Sequence, residues 1–235
     1  MNNFERVGAR TVSADYDMGM RAYMLKIYNY MAGALGLTGV VAMLTASSPQ
    51  IMQTIYGSPL QWVVAFAPLG IVMYLSFRVQ KLSMQAAQTW FWVFAAAMGL
   101  SLSSIFLVYT GESIARTFFI TAGVFGSMSL YGYTTKKDLT GMGSFLMMGL
   151  FGLILASLVN IFLKSSGLQF AISAIGVVVF TGLTAYDTQK IKSMYHQVGS
   201  TGEAAGKAAI MGALTLYLDF INLMIMLLRF VGDRR

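Results

Sequence analysis

The stretch "LTLYLDFINLMIMLLRF", Leu214 to Phe230, decides the fold. It reads as the interior of a membrane helix, yet it carries Asp219 and no lysine or arginine before Arg229. An isolated charge at the bilayer centre costs about 2.5–3.5 kcal/mol on insertion scales. Such a carboxyl has to be enclosed and either used or neutralised, which places its helix inside a bundle.

The whole chain fits that setting. Hydrophobic residues make up 57% of its 235 residues and charged residues only 11%, and the mean hydropathy is +0.66. A soluble domain carries about 25% charged residues. There is no cysteine, which excludes disulfides and thiolate metal sites, and the single histidine, His196, excludes a His-rich metal centre. The net charge of +7 would suggest nucleic acid in a soluble protein. In a membrane chain it marks span-flanking basic residues instead, so no nucleic acid partner is expected.

Seven stretches approach the roughly 20 apolar residues that a transmembrane helix needs. They run about 28–46, 60–77, 89–109, 114–133, 142–163, 168–186 and 208–231. The fold class is therefore all-α: a polytopic membrane protein of seven transmembrane helices, the last of them central. Residues 1–24 form a polar tail and 25–235 the seven-helix transmembrane domain. Short connectors predict antiparallel neighbours, with a tight hairpin between the third and fourth spans around "TGES". Of the 16 Lys and Arg, five (Arg116, Lys164, Arg229, Arg234 and Arg235) fall on the far side and the other 11 on the N-terminal side. That imbalance makes the N-terminus cytoplasmic. The basic end "RFVGDRR" dissents, and a re-entrant last segment would bring it inside. Small residues at four-residue spacing, Ala95/Gly99/Ser103, Ala32/Gly36 and Gly152/Ala156, predict close helix contacts. No phosphate loop, HExxH or GxSxG pattern occurs.

Only two of the nine acidic residues, Asp187 and Asp219, lie in or at a span. Asp187 ends the sixth, in "TGLTAYDTQKIK", where the helix continues past it for want of a breaker. Asp219 lies roughly 16 Å from Ala208 along the seventh. Both approach from the same side. Around Asp219, residues Ala208, Gly212, Thr215, Asn222, Met226 and Arg229 form a small and polar stripe that faces protein or water. Thr181 and Thr184 bring hydroxyls near Asp187. At about 3 Å and an effective dielectric near 20, two ionised carboxylates repel by about 5 kcal/mol. A meeting pair would share one proton and serve as a pH sensor; otherwise it is a structural link between two helices.

"LYLDFINLMIMLLRF", "AYDTQKIK", "FFITAGVFGSMSLYGYTTKKDL" and "MGLSLSSIF" resemble the Bax inhibitor-one family, also called the transmembrane Bax inhibitor motif family, in its bacterial YccA-like branch. The resemblance covers nearly the whole chain from the first span on. It implies a seven-helix protein with its last helix central and a pH-sensitive calcium leak across the membrane. It places the gating aspartates at Asp187 and Asp219 and a competing basic residue at Arg78 in "LSFRVQK". The polar stripe of the seventh span makes Thr215 and Asn222 the expected lining of an ion path. Family members can carry an acid within the second span, and "LQWVVAFAPLGIVMYLSF" has none. The resemblance also implies the bilayer and calcium ions as partners, calcium being the conducted ion with no cofactor, and an association with the membrane protease FtsH. A bacterial inner membrane is expected, since the end "GDRR" is no endoplasmic-reticulum retention signal.

Three rivals stand beside the channel. A regulator of a membrane protease would conduct nothing. A proton-coupled transporter would show saturable, substrate-dependent proton uptake. An intramembrane aspartyl protease would also use two aspartates on its sixth and seventh spans, and "AYD" matches one of its motifs. Its second motif, Gly-x-Gly-Asp, is replaced by "LYLD", and all three prolines, Pro49, Pro59 and Pro68, lie in the first third. The expectation is a protein that is not an enzyme.

Overall fold

Long apolar runs broken by short polar connectors make a chain of helices, and each break has a local cause. The computed structural model describes residues 3–199 and 202–235, with side chains from Asp17 on, Val198 excepted. The side chains of Arg6 and Arg10 in the charge balance, and Ser200 and Thr201 between the last two spans, lie outside the described residues. Helix α1 covers Asn3–Ala46 and α2 covers Pro49–Tyr56. Ser48 caps α2, its hydroxyl accepting from the Ile51 N–H, and Pro49 occupies the first turn, where no N–H is needed. Helix α3 (Leu60–Arg78) runs into a single 3-10 turn, Val79–Lys81. Ser83, Thr110 and Ser165 cap α4 (Met84–Leu102), α6 (Gly111–Thr134) and α8 (Ser166–Val198), and α5 is one turn, Ile105–Val108. Helix α7 is Thr140–Leu163, ended by Lys164 in the left-handed conformation, and α9 is Gly202–Val231.

Seven segments are long and apolar enough to cross a membrane: Asp17–Ala46, Leu60–Lys81, Met84–Val108, Gly111–Thr134, Thr140–Leu163, Ser166–Gln197 and Gly202–Val231. No strand is formed among the described residues. The segment assigned to the polar tail is helical from Asn3 and continuous with the first span. Helix α8 continues past Asp187 to Val198, as its unbroken sequence requires.

Helix α9 is the hub. Two thirds of its span (67%) is buried, against 11% for α3 and for α7. It packs on α8, α1, α6 and α4, with α3 outside α4 and α7 outside α8. The tight hairpin expected of the third and fourth spans is not formed. Helices α4 and α6 each pack on α9 rather than along one another, and α5 joins them in the chain. Chain proximity yields here to the need to enclose α9.

The small-residue ridges divide in the same way. Ala95, Gly99 and Ser103 are buried, and a Cβ at Gly99 would collide with the Thr38 carbonyl of α1. Ala32, Gly36 and Gly152 are exposed, and Cβ atoms at the two glycines would meet open space, so these positions face away from the bundle. Small residues mark a close contact only when their face of the helix is the covered one.

Seven full crossings put the C-terminus opposite the N-terminus. Residues 232–235 are clasped to the start of α6. The Thr110 N–H donates to the Asp233 carbonyl at 3.2 Å, the Arg235 N–H to the Val108 carbonyl at 2.9 Å and the Asp233 N–H to the Ser113 hydroxyl at 2.9 Å. Arg116 adds an exposed ion pair to Asp233 at 2.7 Å. The basic tail is thus held on the far side, with no re-entrant turn.

The tightest helix contact is between α6 and α8, where a Cβ on Gly132 would overlap the Ala185 backbone; on the same helix, Gly123 faces open space. Overpacking of this kind costs about 1–3 kcal/mol. Gly132→Ala is expected to lower the melting temperature of the purified protein in detergent by several degrees, and Gly123→Ala to leave it unchanged. Equal melting temperatures for both variants would refute this contact.

Candidate functional site

Helices α8 and α9 run antiparallel, and the small and polar stripe of α9 is what α8 covers. Near the start of α9, Gly212 lies against Ile191 of α8 and Ile27 of α1. Toward its end, Met226 fills the notch left by Gly176 of α8. Between these contacts the Asp187 and Asp219 side chains meet in hydrogen-bonding contact. Asp219 is only 6% exposed, and its Oδ2 has no hydrogen-bond partner. Asp187 is half-buried, nearer the N-terminal side of the bundle. An ionised carboxylate only accepts hydrogen bonds, so two carboxyls bond each other only when one carries a proton.

The hydroxyls nearby are already committed. Thr184 donates to the Phe180 carbonyl at 2.8 Å and Thr188 to the Thr184 carbonyl at 2.7 Å, both within α8. Thr215, one turn before Asp219, donates to the Met211 carbonyl at 3.0 Å. Asn222, one turn after, is half-buried. Thr188 also ends a run of hydroxyls across three helices: Tyr28 of α1 bonds Ser129 of α6 at 2.6 Å, and Ser129 bonds Thr188 at 2.9 Å. Tyr217, buried on the opposite face of α9, bonds Thr38 at 2.7 Å, and Thr38 in turn donates to the Ala95 carbonyl.

The basic groups are arranged differently from the expectation. Arg78 is exposed at the end of α3, away from the carboxyl pair. The cation whose charge reaches Asp187 is Lys190, one turn further along the same helix. Helical i,i+3 spacing in "DTQK" carries that signal, which a search for a partner on another span overlooks. Lys192 donates to the Tyr133 carbonyl at 2.7 Å and lies over the Tyr133 ring. Lys207 pairs with Glu203 at 3.0 Å and reaches the Gln80 carbonyl, tying the start of α9 to the α3–α4 connection.

Comparison with known proteins places this arrangement. The family described as inhibitor of apoptosis-promoting Bax1 matches residues 20–235. An uncharacterized protein of Rickettsia prowazekii is 58% identical, over 94% of this chain and 93% of its own length. The inner membrane protein YbhL of Escherichia coli is 50% identical, over 92% of this chain and 94% of its own. A Caulobacter vibrioides protein is 46% identical across the full length of both. With the family match spanning all seven crossings and both aspartates, this chain is a member of the Bax inhibitor-1 family of multi-pass membrane proteins.

Proposed function

We propose that this protein is a pH-sensitive calcium leak channel, gated by a proton shared between Asp187 and Asp219. The observation that carries the reading is the meeting of two carboxyls inside an apolar bundle, one of them almost fully buried. With the proton in place, a charge-assisted bond ties α8 to α9. Without it, two negative charges at about 3 Å repel by about 5 kcal/mol at an effective dielectric near 20, which drives the helices apart. Lys190 then faces the freed Asp187. Arg78 becomes its partner only if α3 closes on α8, because its side chain is exposed in this state. The ion path follows the stripe of α9 past Thr215, Asp219 and Asn222.

Removing either carboxyl removes the repulsion. Asp187→Asn and Asp219→Asn are each expected to flatten the pH profile of calcium flux from proteoliposomes, measured between about pH 6 and 8, because a shared proton is what makes the wild-type profile depend on pH. The two variants need not share a flux level, since Asp219 also attracts the ion. If both keep the wild-type profile, the pair is a structural link and the gating reading fails. If the wild-type protein alone passes no calcium, the channel reading fails with it.

The membrane is the bacterial inner membrane and the N-terminus is cytoplasmic, on the strength of the basic-residue imbalance and the likeness to an inner membrane protein of Escherichia coli. The chain has no cysteine, so single introduced cysteines report sidedness without background. In intact spheroplasts a membrane-impermeant maleimide is expected to label Gln50→Cys at once. Gln80→Cys should react only after permeabilisation. The reverse pattern would invert the orientation.

A further inference from the structure

Between the α6–α7 connection and α8 lies a pocket of about 330 Å³ whose walls include Lys136, Lys137 and Lys190. We propose that this pocket binds the phosphate headgroup of an anionic phospholipid. None of the three lysines belongs to an ion pair among the described residues, whereas their neighbours Lys192 and Lys207 are partnered. The pocket's one carboxylate is held within its own turn. Asp138 Oδ1 accepts from the Thr140 hydroxyl at 2.6 Å and from its N–H at 2.9 Å. Those two bonds hold the Asp138 carboxyl below the usual carboxylate range, so it stays ionised at neutral pH. Three ammonium groups against one carboxylate leave the pocket at +2.

Basic residues on the N-terminal side are expected from topology alone, and scattered lysines would need no ligand. Here they are gathered on a built frame. Gln189 clamps the connection twice, its Oε1 accepting from the Leu139 N–H at 2.9 Å and its Nε2 donating to the Lys137 carbonyl at 2.8 Å. The Tyr186 ring forms a wall, wedged against Gly143, where any Cβ would overlap it. Lys190 Nζ stands 5.9 Å above that ring.

Depth selects a lipid over a soluble anion. Helix α7 starts at the rim of the pocket and runs 24 residues to Leu163. That is roughly 36 Å, longer than the roughly 30 Å hydrocarbon core, so the rim lies at headgroup level. Past the headgroup level α7 turns exposed apolar side chains, Phe145, Met148, Phe151 and Leu155 among them, toward the acyl region. A cluster of lysines at this depth attracts anionic lipid. One consequence rests on the proposed gate: a phosphate in the pocket draws Lys190 away from Asp187, so lipid occupancy acts on the pair. The binding does not depend on that reading.

The test is native mass spectrometry of the full chain in a neutral detergent, titrated with dioleoylphosphatidylglycerol. Bound lipid is expected to persist on the wild-type protein, while dioleoylphosphatidylcholine is shed. The double variant K136Q/K190Q should bind phosphatidylglycerol at least about ten-fold more weakly. The control K26Q/K81Q removes the same charge from exposed lysines elsewhere and should bind as the wild type does. Equal loss in both doubles, no loss in K136Q/K190Q, or equal retention of phosphatidylcholine would overturn the site. Displacement of phosphatidylglycerol by inorganic phosphate at equal concentration would overturn the lipid assignment in favour of a soluble phosphate. None of these outcomes depends on whether the protein conducts calcium.

Discussion

A carboxyl in the middle of an apolar helix sets the terms for the rest of this structure. In hydrocarbon no water is available to solvate Asp219, so protein must surround it. Four helices do so, and α9 becomes the most buried span of the bundle. Enclosure by four neighbours requires close approach, and small residues supply it at the contacts: Gly206 against Met84, Gly212 against Ile27 and Ile191, and Gly176 against Met226. The same demand explains why α4 and α6, joined by only a short link, pack on α9 rather than along each other.

Enclosure also decides where polar groups are spent. Buried hydroxyls in this bundle mostly return to carbonyls one turn back, as Thr121, Thr184, Thr188 and Thr215 do. That habit satisfies a hydroxyl without a partner on another helix. Side-chain to side-chain links between spans are fewer: among the described residues Tyr28–Ser129–Thr188 and Tyr217–Thr38 make them, and the aspartate pair meets between α8 and α9. The pair differs from the others because two carboxyls bond each other only when one carries a proton.

Much of this was legible from residues of rare type in a telling place. An aspartate within an apolar run, and a second one where "AYDTQKIK" continues without a breaker, pointed to the carboxyl pair, the hub helix and the length of α8. Residues whose meaning depends on which face is covered were not legible. Ala32/Gly36 and Ala95/Gly99 look alike in sequence, and only packing separates the exposed pair from the buried one. The hydroxyl run failed for a related reason: Tyr28, Ser129 and Thr188 are far apart in the chain and individually ordinary. Arg78 was placed by resemblance to other proteins and Lys190 overlooked, although Lys190 sits at helical spacing from Asp187. The α4–α6 hairpin was inferred from connector length, and connector length carries no information about a third helix that competes for both.

The way α9 is held tells where it can part from its neighbours. In its middle, on either side of Asp219 in the chain, it is fixed by aromatic packing: Phe220 lies edge-on to Phe118 and Phe125 of α6 at 5.4 and 5.5 Å, and Tyr217 to Phe94 of α4 at 5.3 Å. The C-terminal clasp then ties the end of α9 to the start of α6. On the N-terminal side α6 and α7 instead grip α8, through Gly132 on the Ala185 backbone, Gly143 on the Tyr186 ring and Leu146 on Gly182. Helix α6 therefore belongs with α9 at one end and with α8 at the other. Under the proposed gating, repulsion within the aspartate pair would act at the level of this aromatic lock, so the part free to swing would be the N-terminal-side half of α8 with the ends of α6 and α7 that hold it. A calcium path along α9 would then need a second opening, past the aromatic cluster or beneath the clasp.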